Sequence, residues 1–138
     1  KVLGDETLRT IAREIVEIAR AHLHAAVWSL SLDFVFSRLA LDFESELRKT
    51  FEDAPPSPWK EVAFACLDRD FVRAADMWAE AGSPTFEALS RLRAAEDLIE
   101  TGRRAEGEAE LQRALAFYRT VGATFYINRG EQLLARTA

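Results

Sequence analysis

Asp70-Phe71-Val72-Arg73-Ala74-Ala75-Asp76-Met77-Trp78-Ala79-Glu80-Ala81 and Arg103-Arg104-Ala105-Glu106-Gly107-Glu108-Ala109-Glu110-Leu111-Gln112-Arg113-Ala114 are two stretches of one pattern. Ala74 aligns with Gly107, Trp78 with Leu111 and Ala81 with Ala114, each pair 33 positions apart. A small residue followed one turn later by a large apolar one, then by another small one, suits two helices that approach closely and fill the gap to the next pair. A period this close to a helical hairpin's length predicts an all-α chain of antiparallel hairpins.

The punctuation around these stretches agrees. Glycines at 82, 102 and 122 each follow a helical run, where a chain leaving a helix turns left-handed. Ser57-Pro58 and Ser83-Pro84 place an N-cap serine before a proline at the first helical position, where the missing N–H costs nothing. Helices are expected near 58–68, 70–81, 84–101, 103–121 and 124–136, with short connections that force neighbours antiparallel. Upstream, Glu52-Asp53-Ala54-Pro55-Pro56 is a sharp break.

Before that break the pattern is still helical. Asp5 and Thr7 are capping types ahead of Leu8, Ile11, Ile15, Ile18/Ala19, His22/Leu23 and Ala26, whose spacings of three and four make one apolar stripe. Asp33 is a cap for a second helix with Phe36, Leu39, Phe43 and Leu47 on one face, ending near Phe51; an unbroken helix over 5–51 fits the same residues. About seven helices in a single domain are expected, with N-terminal helices over 1–52 and hairpins over 58–138.

Ala95, Leu98, Gly102, Gly107, Leu111 and Ala114 fall where a tetratricopeptide repeat carries its small, large, turn and small residues, so residues 58–136 resemble that family. The first copy departs from it, with Val62 and Ala65 at the positions of Ala95 and Leu98, Asp68-Arg69 in place of a turn glycine, and no terminal proline. A second resemblance rests on the run from Ala105 through Leu111, Phe117 and Gly122 to Thr124, and on Arg129-Gly130-Glu131-Gln132-Leu133-Leu134-Ala135. Both are similar to the C-terminal helical region of large bacterial signalling proteins of the actinobacterial type. Those carry an ATPase module, often beside an adenylate or guanylate cyclase domain or a transcription-factor domain. The resemblance implies a short superhelix of stacked hairpins that is the sensor or scaffold end of such a protein. A start at Lys1 rather than methionine fits a fragment of something longer.

In the tetratricopeptide family the first helix of each hairpin lines a concave groove. Carried over, that face comprises Leu89, Leu92, Glu96, Ile99 and Glu100, and its apolar members call for a cover. The expected cover is a helix or peptide of a protein partner, a second copy of this chain, or residues 5–28. The function implied is a non-catalytic interaction or scaffold module of a signalling protein. The alternatives are a homodimerisation domain, whose aromatic-rich N-terminal helices pair between copies, and a small-ligand sensor.

Chemistry by side chains of this chain finds little support. The 138 residues hold 23 acidic and 18 basic side chains, for a net charge of −5, the wrong balance for displacing counterions from nucleic-acid phosphates. Arg103-Arg104 reads as a solvated helix start. No phosphate-cradling glycine loop occurs, and no cofactor is implied. His22 and His24 are two apart, so on a helix they diverge and cannot share a metal. Glu106, Glu108 and Glu110, like Asp42, Glu44 and Glu46, are spaced over a solvated face. The lone Cys66 sits in an apolar run, as a buried small hydrophobe does, and one thiol fits a reducing cytoplasm. No apolar stretch approaches the ~20 residues of a membrane span, and no basic leader precedes an apolar segment.

Overall fold

The computed structural model describes residues 5–21 and 43–137. The described residues form seven helices and no strand. They are α1 Asp5–Ala21, α2 Glu44–Glu52, α3 Pro58–Leu67, α4 Phe71–Glu80, α5 Pro84–Glu100, α6 Arg104–Val121 and α7 Thr124–Thr137. The five C-terminal helices match their expected bounds to within two residues. The proposed cap Asp33, the stripe residues Leu23, Ala26, Phe36 and Leu39, Asp42 and both histidines lie outside the described residues. Phe43, expected inside the second helix, precedes α2 instead: its backbone (φ −123°, ψ 16°) is non-helical, which also excludes an unbroken helix over 5–51.

The chain divides into two units, Lys1–Asp68 and Arg69–Ala138. The division falls within 58–81, the stretch expected to be one hairpin.

In the first unit, the described helices pack around Leu47 and Phe51 of α2 and Val62, Ala65 and Cys66 of α3, all at most 2% exposed. Phe51 meets Phe64 edge-on at 6.3 Å between ring centres. The proline-bearing turn between α2 and α3 leaves helix-end carbonyls without amide donors. Lys60 supplies them, its Nζ donating to the carbonyls of Glu52 and Ala54, both at 2.9 Å. Ser57 caps α3 as its type predicts, accepting from the Lys60 amide at 3.2 Å. Arg48 joins Glu44 to Asp68. On α1, Leu8 is half-buried and Ile11 is 40% exposed.

In the second unit, successive helices run antiparallel. Trp78 of α4 meets Phe86 of α5 at 5.0 Å between ring centres, and Asp76 meets Arg91 further along α5. Gly107 of α6 lies against Ala95 and Ile99 near the end of α5, while Glu110 reaches back to Arg91. Gly130 of α7 lies against Leu111 and Leu115 of α6, and Tyr126 stacks on Tyr118 at 4.7 Å. The shared core is Ala88, Leu92 and Ala95 of α5 with Leu111, Ala114, Leu115 and Tyr118 of α6.

Gly107 shows why the helices need a small residue there. A Cβ on it would come within 2.7 Å of Ile99 Cγ1 and 3.0 Å of the Ala95 carbonyl oxygen. The aligned Ala74 is likewise wholly buried, as are Trp78 and Leu111 to within 2%. The third pair diverges. Ala114 is buried in mid-helix, but Ala81 is exposed because α4 spans only 10 residues where α6 spans 18.

All three predicted turn glycines are left-handed. After each, the next residue donates its N–H to the carbonyl five back: Ser83 to Trp78 at 2.9 Å, Arg103 to Leu98 at 2.8 Å, Ala123 to Tyr118 at 2.9 Å. Ser83 is thereby tied into the turn, and its hydroxyl does not cap α5 although Pro84 holds the first helical position.

The fourth left-handed residue is Arg69, at φ 59°. It stands 33 positions before Gly102, at the place where the repeat lacks its glycine. An L side chain there strains the backbone by roughly 1–2 kcal/mol. The guanidinium is held in return: Nε donates to Asp97 Oδ1 at 2.9 Å, Nη2 donates to the same oxygen, and the group lies 5.5 Å from the Phe71 ring centre. Two substitutions separate strain from anchorage. Arg69→Ala loses the Asp97 bonds and keeps the strain, whereas Arg69→Gly loses the bonds and relieves it. In urea denaturation the Gly variant should be more stable than the Ala variant by about 1 kcal/mol, even after glycine's larger loss of chain entropy. Equal or reversed stabilities would mean that residue 69 does not turn left-handed.

Candidate functional site

Helix α5 touches every other helix of the second unit, and its three faces differ in chemistry. The first stripe, Phe86, Ser90, Ala94 and Asp97, follows α4, with Phe86 on Trp78 and Asp97 on Arg69. Ser90 is wholly buried, and its hydroxyl has no hydrogen-bond partner among the described residues. It serves there as a small residue between helices.

The second stripe faces α6 and contains the charge that sequence reasoning passed over. Arg91 is 3% exposed, set among Ala88, Leu92 and Ala95 on the buried face. Three carboxylates from three helices meet its guanidinium. Nε donates to Glu87 at 2.7 Å on its own helix, Nη1 to Glu110 of α6 at 2.8 Å, and Nη2 to Asp76 of α4 at 3.1 Å. Burial alone would favour the neutral guanidine. The bonds to Glu110, Glu87 and Asp76 outweigh it and hold the Arg91 pKa above its ordinary value. Glu110, expected on a solvated face, is therefore an inward partner whose side chain is only 12% exposed. The signal was present in the sequence: Arg91 falls on the apolar stripe, one turn after Glu87.

The third stripe is Leu89, Arg93, Glu96 and Glu100, spaced i, i+4, i+7 and i+11. Two of the five residues expected to line a groove leave it for the α6 side. Leu92 is 1% exposed in the core, and Ile99 packs over Gly107. Leu89 and Glu96 are half-buried and Glu100 is exposed, so this face carries one large apolar side chain rather than three. Glu96 is engaged from both sides. Arg93 Nη1 donates to its Oε2 at 2.9 Å; Arg129 of α7 donates to Oε1 from Nε at 2.8 Å and from Nη2 at 2.7 Å.

Elsewhere the charged side chains pair along helix surfaces. Arg103 pairs with Glu106 and Arg104 with Glu108, each partner more than a third exposed, as a solvated helix start would have it. Arg103 holds the Glu106 carboxyl below its ordinary range. One described aromatic side chain lies largely in solvent: Phe125 is 69% exposed, and Val121, also near the turn from α6 to α7, is 56% exposed. Among the described residues no group of three or more His, Cys, Asp or Glu side chains is arranged to hold a metal ion. No described helix is long and apolar enough to cross a membrane. Cys66 is 2% exposed, and burial pushes its thiol pKa up to about 12.

The arrangement ranks three substitutions by burial. Arg91→Ala strands Glu110 and Glu87 and should cost roughly 3–5 kcal/mol in chemical denaturation. Glu110→Ala removes the bond from Arg91 and a longer one from exposed Arg113 at 3.4 Å, about 2 kcal/mol together, and exposed Asp76→Ala less than about 1 kcal/mol. An Asp76 effect as large as that of Glu110 would contradict this order.

The thiol gives a second test. In the folded chain Cys66 should resist thiol reagents at neutral pH and react on unfolding. The buried thiol ionises near 12 and an ordinary one near 9.0. Its contribution to stability is therefore complete below about 9 and lost as pH rises toward 12. Cys66→Ala should flatten that part of the stability profile, and an unchanged slope would refute the burial argument.

Comparison with protein-family models, with curated proteins and with solved structures finds no match to this chain.

Proposed function

We propose that this chain is a tetratricopeptide-like interaction module that acts by holding a protein segment rather than by catalysis. The observation that carries the reading is the recurrence of a left-handed residue 33 positions apart, at Arg69 and Gly102, despite dissimilar side chains. Each turn is followed by a helix with a buried small residue and then a buried large one, Ala74 and Trp78 after the first, Gly107 and Leu111 after the second. Glu96 and Arg129, which pair across α5 and α7, are also 33 apart. Such spacing supports hairpins stacked with a small constant rotation, an architecture that presents a face for extended or helical segments. The helices are less regular than the turns: α5 starts 26 positions after α3, and α7 starts 40 after α5.

The sequence resemblance places the module in a larger cytoplasmic signalling protein of the cyclase-associated or transcription-regulator kind, and this belongs to the same proposal. The dimerisation alternative rests largely on aromatic residues outside those described.

Selection from a displayed library of random short peptides, with the intact chain as bait, tests the proposal. Binders should perturb backbone NMR resonances of α5 and α7, and Leu89→Asp should weaken them by roughly tenfold, the loss of about 1.4 kcal/mol. Failure to select any binder, or binders indifferent to Leu89→Asp that perturb neither helix, would overturn it.

A further inference from the structure

Three of the chain's four prolines, Pro55, Pro56 and Pro58, fall at the turn from α2 to α3. Only Pro58 is needed to start α3, where it holds the first helical position behind the Ser57 cap. Pro84 starts α5 from the same position behind Gly82, with no further proline. Pro55 and Pro56 are therefore surplus to the helix boundary, and both are exposed.

The turn that carries them is fixed at its base. Ala54 is 4% exposed, and its amide donates to the Phe51 carbonyl at 3.1 Å. Lys60 Nζ holds the carbonyls of Glu52 and Ala54. Ser57, in an extended backbone (φ −161°, ψ 155°), is tied to α3 through its hydroxyl. Between these anchors the chain bends at Pro56 and leaves two adjacent prolyl rings in solvent. The carbonyls of Pro55 and Pro56 accept no hydrogen bond among the described residues.

Such a surface narrows the chemistry of what could meet it. Two successive residues without an N–H cannot extend a partner's β-sheet, because whichever of them faced the sheet edge would lack its donor. What the turn offers instead is two apolar ring faces beside two free acceptors. Its φ angles are already set by the rings, so binding has little left to order. The complement is a pocket of aromatic side chains that also carry a donor, the indole N–H of Trp or the phenol O–H of Tyr. Charge contributes little: over residues 49–61, Glu52, Asp53 and Glu61 stand against Lys49 and Lys60, three carboxylates to two ammoniums.

We infer that the Pro55–Pro56 turn is a docking surface for a partner domain whose aromatic, donor-bearing pocket takes prolyl rings. The surface lies within the first unit and does not depend on the interaction face of α5.

The test titrates a panel of isolated WW and Src-homology-3 domains, which bind proline through aromatic grooves, into the intact chain. At least one member should bind with a Kd of about 1 mM or tighter and hold that affinity as salt rises. In NMR it should shift the prolyl δ-proton signals of Pro55 and Pro56 and the amides of Ala54 and Ser57. Replacing the groove's tryptophan in that domain by alanine should abolish binding. P55A/P56A should cost at least about tenfold, whereas Leu89→Asp should change nothing. The resonance map and the groove variant both use the wild-type chain and decide the matter should P55A/P56A fail to fold.

Absence of binding by every member of the panel would overturn the docking surface. So would binding that shifts other residues, or that survives loss of the groove's aromatic ring. Binding that collapses as salt rises would assign the contact to the carboxylates and overturn it equally. None of these results bears on α5 and α7, which the peptide selection tests separately.

Discussion

One guanidinium, that of Arg91, organises the second unit. It is a permanent charge placed among alanines and leucines, and its burial is tolerable only because carboxylates arrive from three helices at once. Each partner fixes a different relation. Glu87 sets the rotamer along α5, Glu110 sets the register of α6, and Asp76 sets that of α4. Apolar packing between these helices would accept small slides; a fork of fixed geometry with three acceptors accepts far fewer. The close approach at Gly107 works only in that register, because its neighbours Ala95 and Ile99 flank Arg91 by one and two turns along α5.

Helix positions were legible in the sequence because they depend on local chemistry. Ser57-Pro58, the Pro55-Pro56 break and the glycines at 82, 102 and 122 each act within a few residues, and each acts as its type demands. The stripe of α6 was equally readable. What the sequence concealed involves partners distant in the chain. Arg69 looked like a departure from the repeat because an arginine carries no turn signal; its left-handed backbone is upheld by Asp97, 28 positions away. Glu110 looked solvated because its neighbours Glu106 and Glu108 are acidic, and only the three-helix geometry turns it inward.

The candidate site was half legible for a related reason. The family resemblance put Leu89, Glu96 and Glu100 on one face, and their spacing along α5 sets those three in one stripe. It could not assign Leu92 and Ile99, since their stripe borders the one facing α6 and a rotation of α5 by a fraction of a turn decides the matter. That rotation is set by Arg91 and Gly107. Arg129 was invisible for the opposite reason: its importance lies in reaching past α6 to α5, which no pattern within α7 announces.

The turn glycines at 82, 102 and 122 have a consequence that concerns handedness rather than size. A Cβ built on any of the three meets nothing within 4 Å, so space does not demand glycine there; backbone sign does. A residue of the mirror-image configuration satisfies both conditions, since its preferred backbone angles are the ones these positions already adopt. D-alanine introduced by chemical ligation would fit the folded turns without strain and narrow the freedom of the unfolded chain. The three helix ends are thus places where the protein accommodates the opposite chirality more readily than its own.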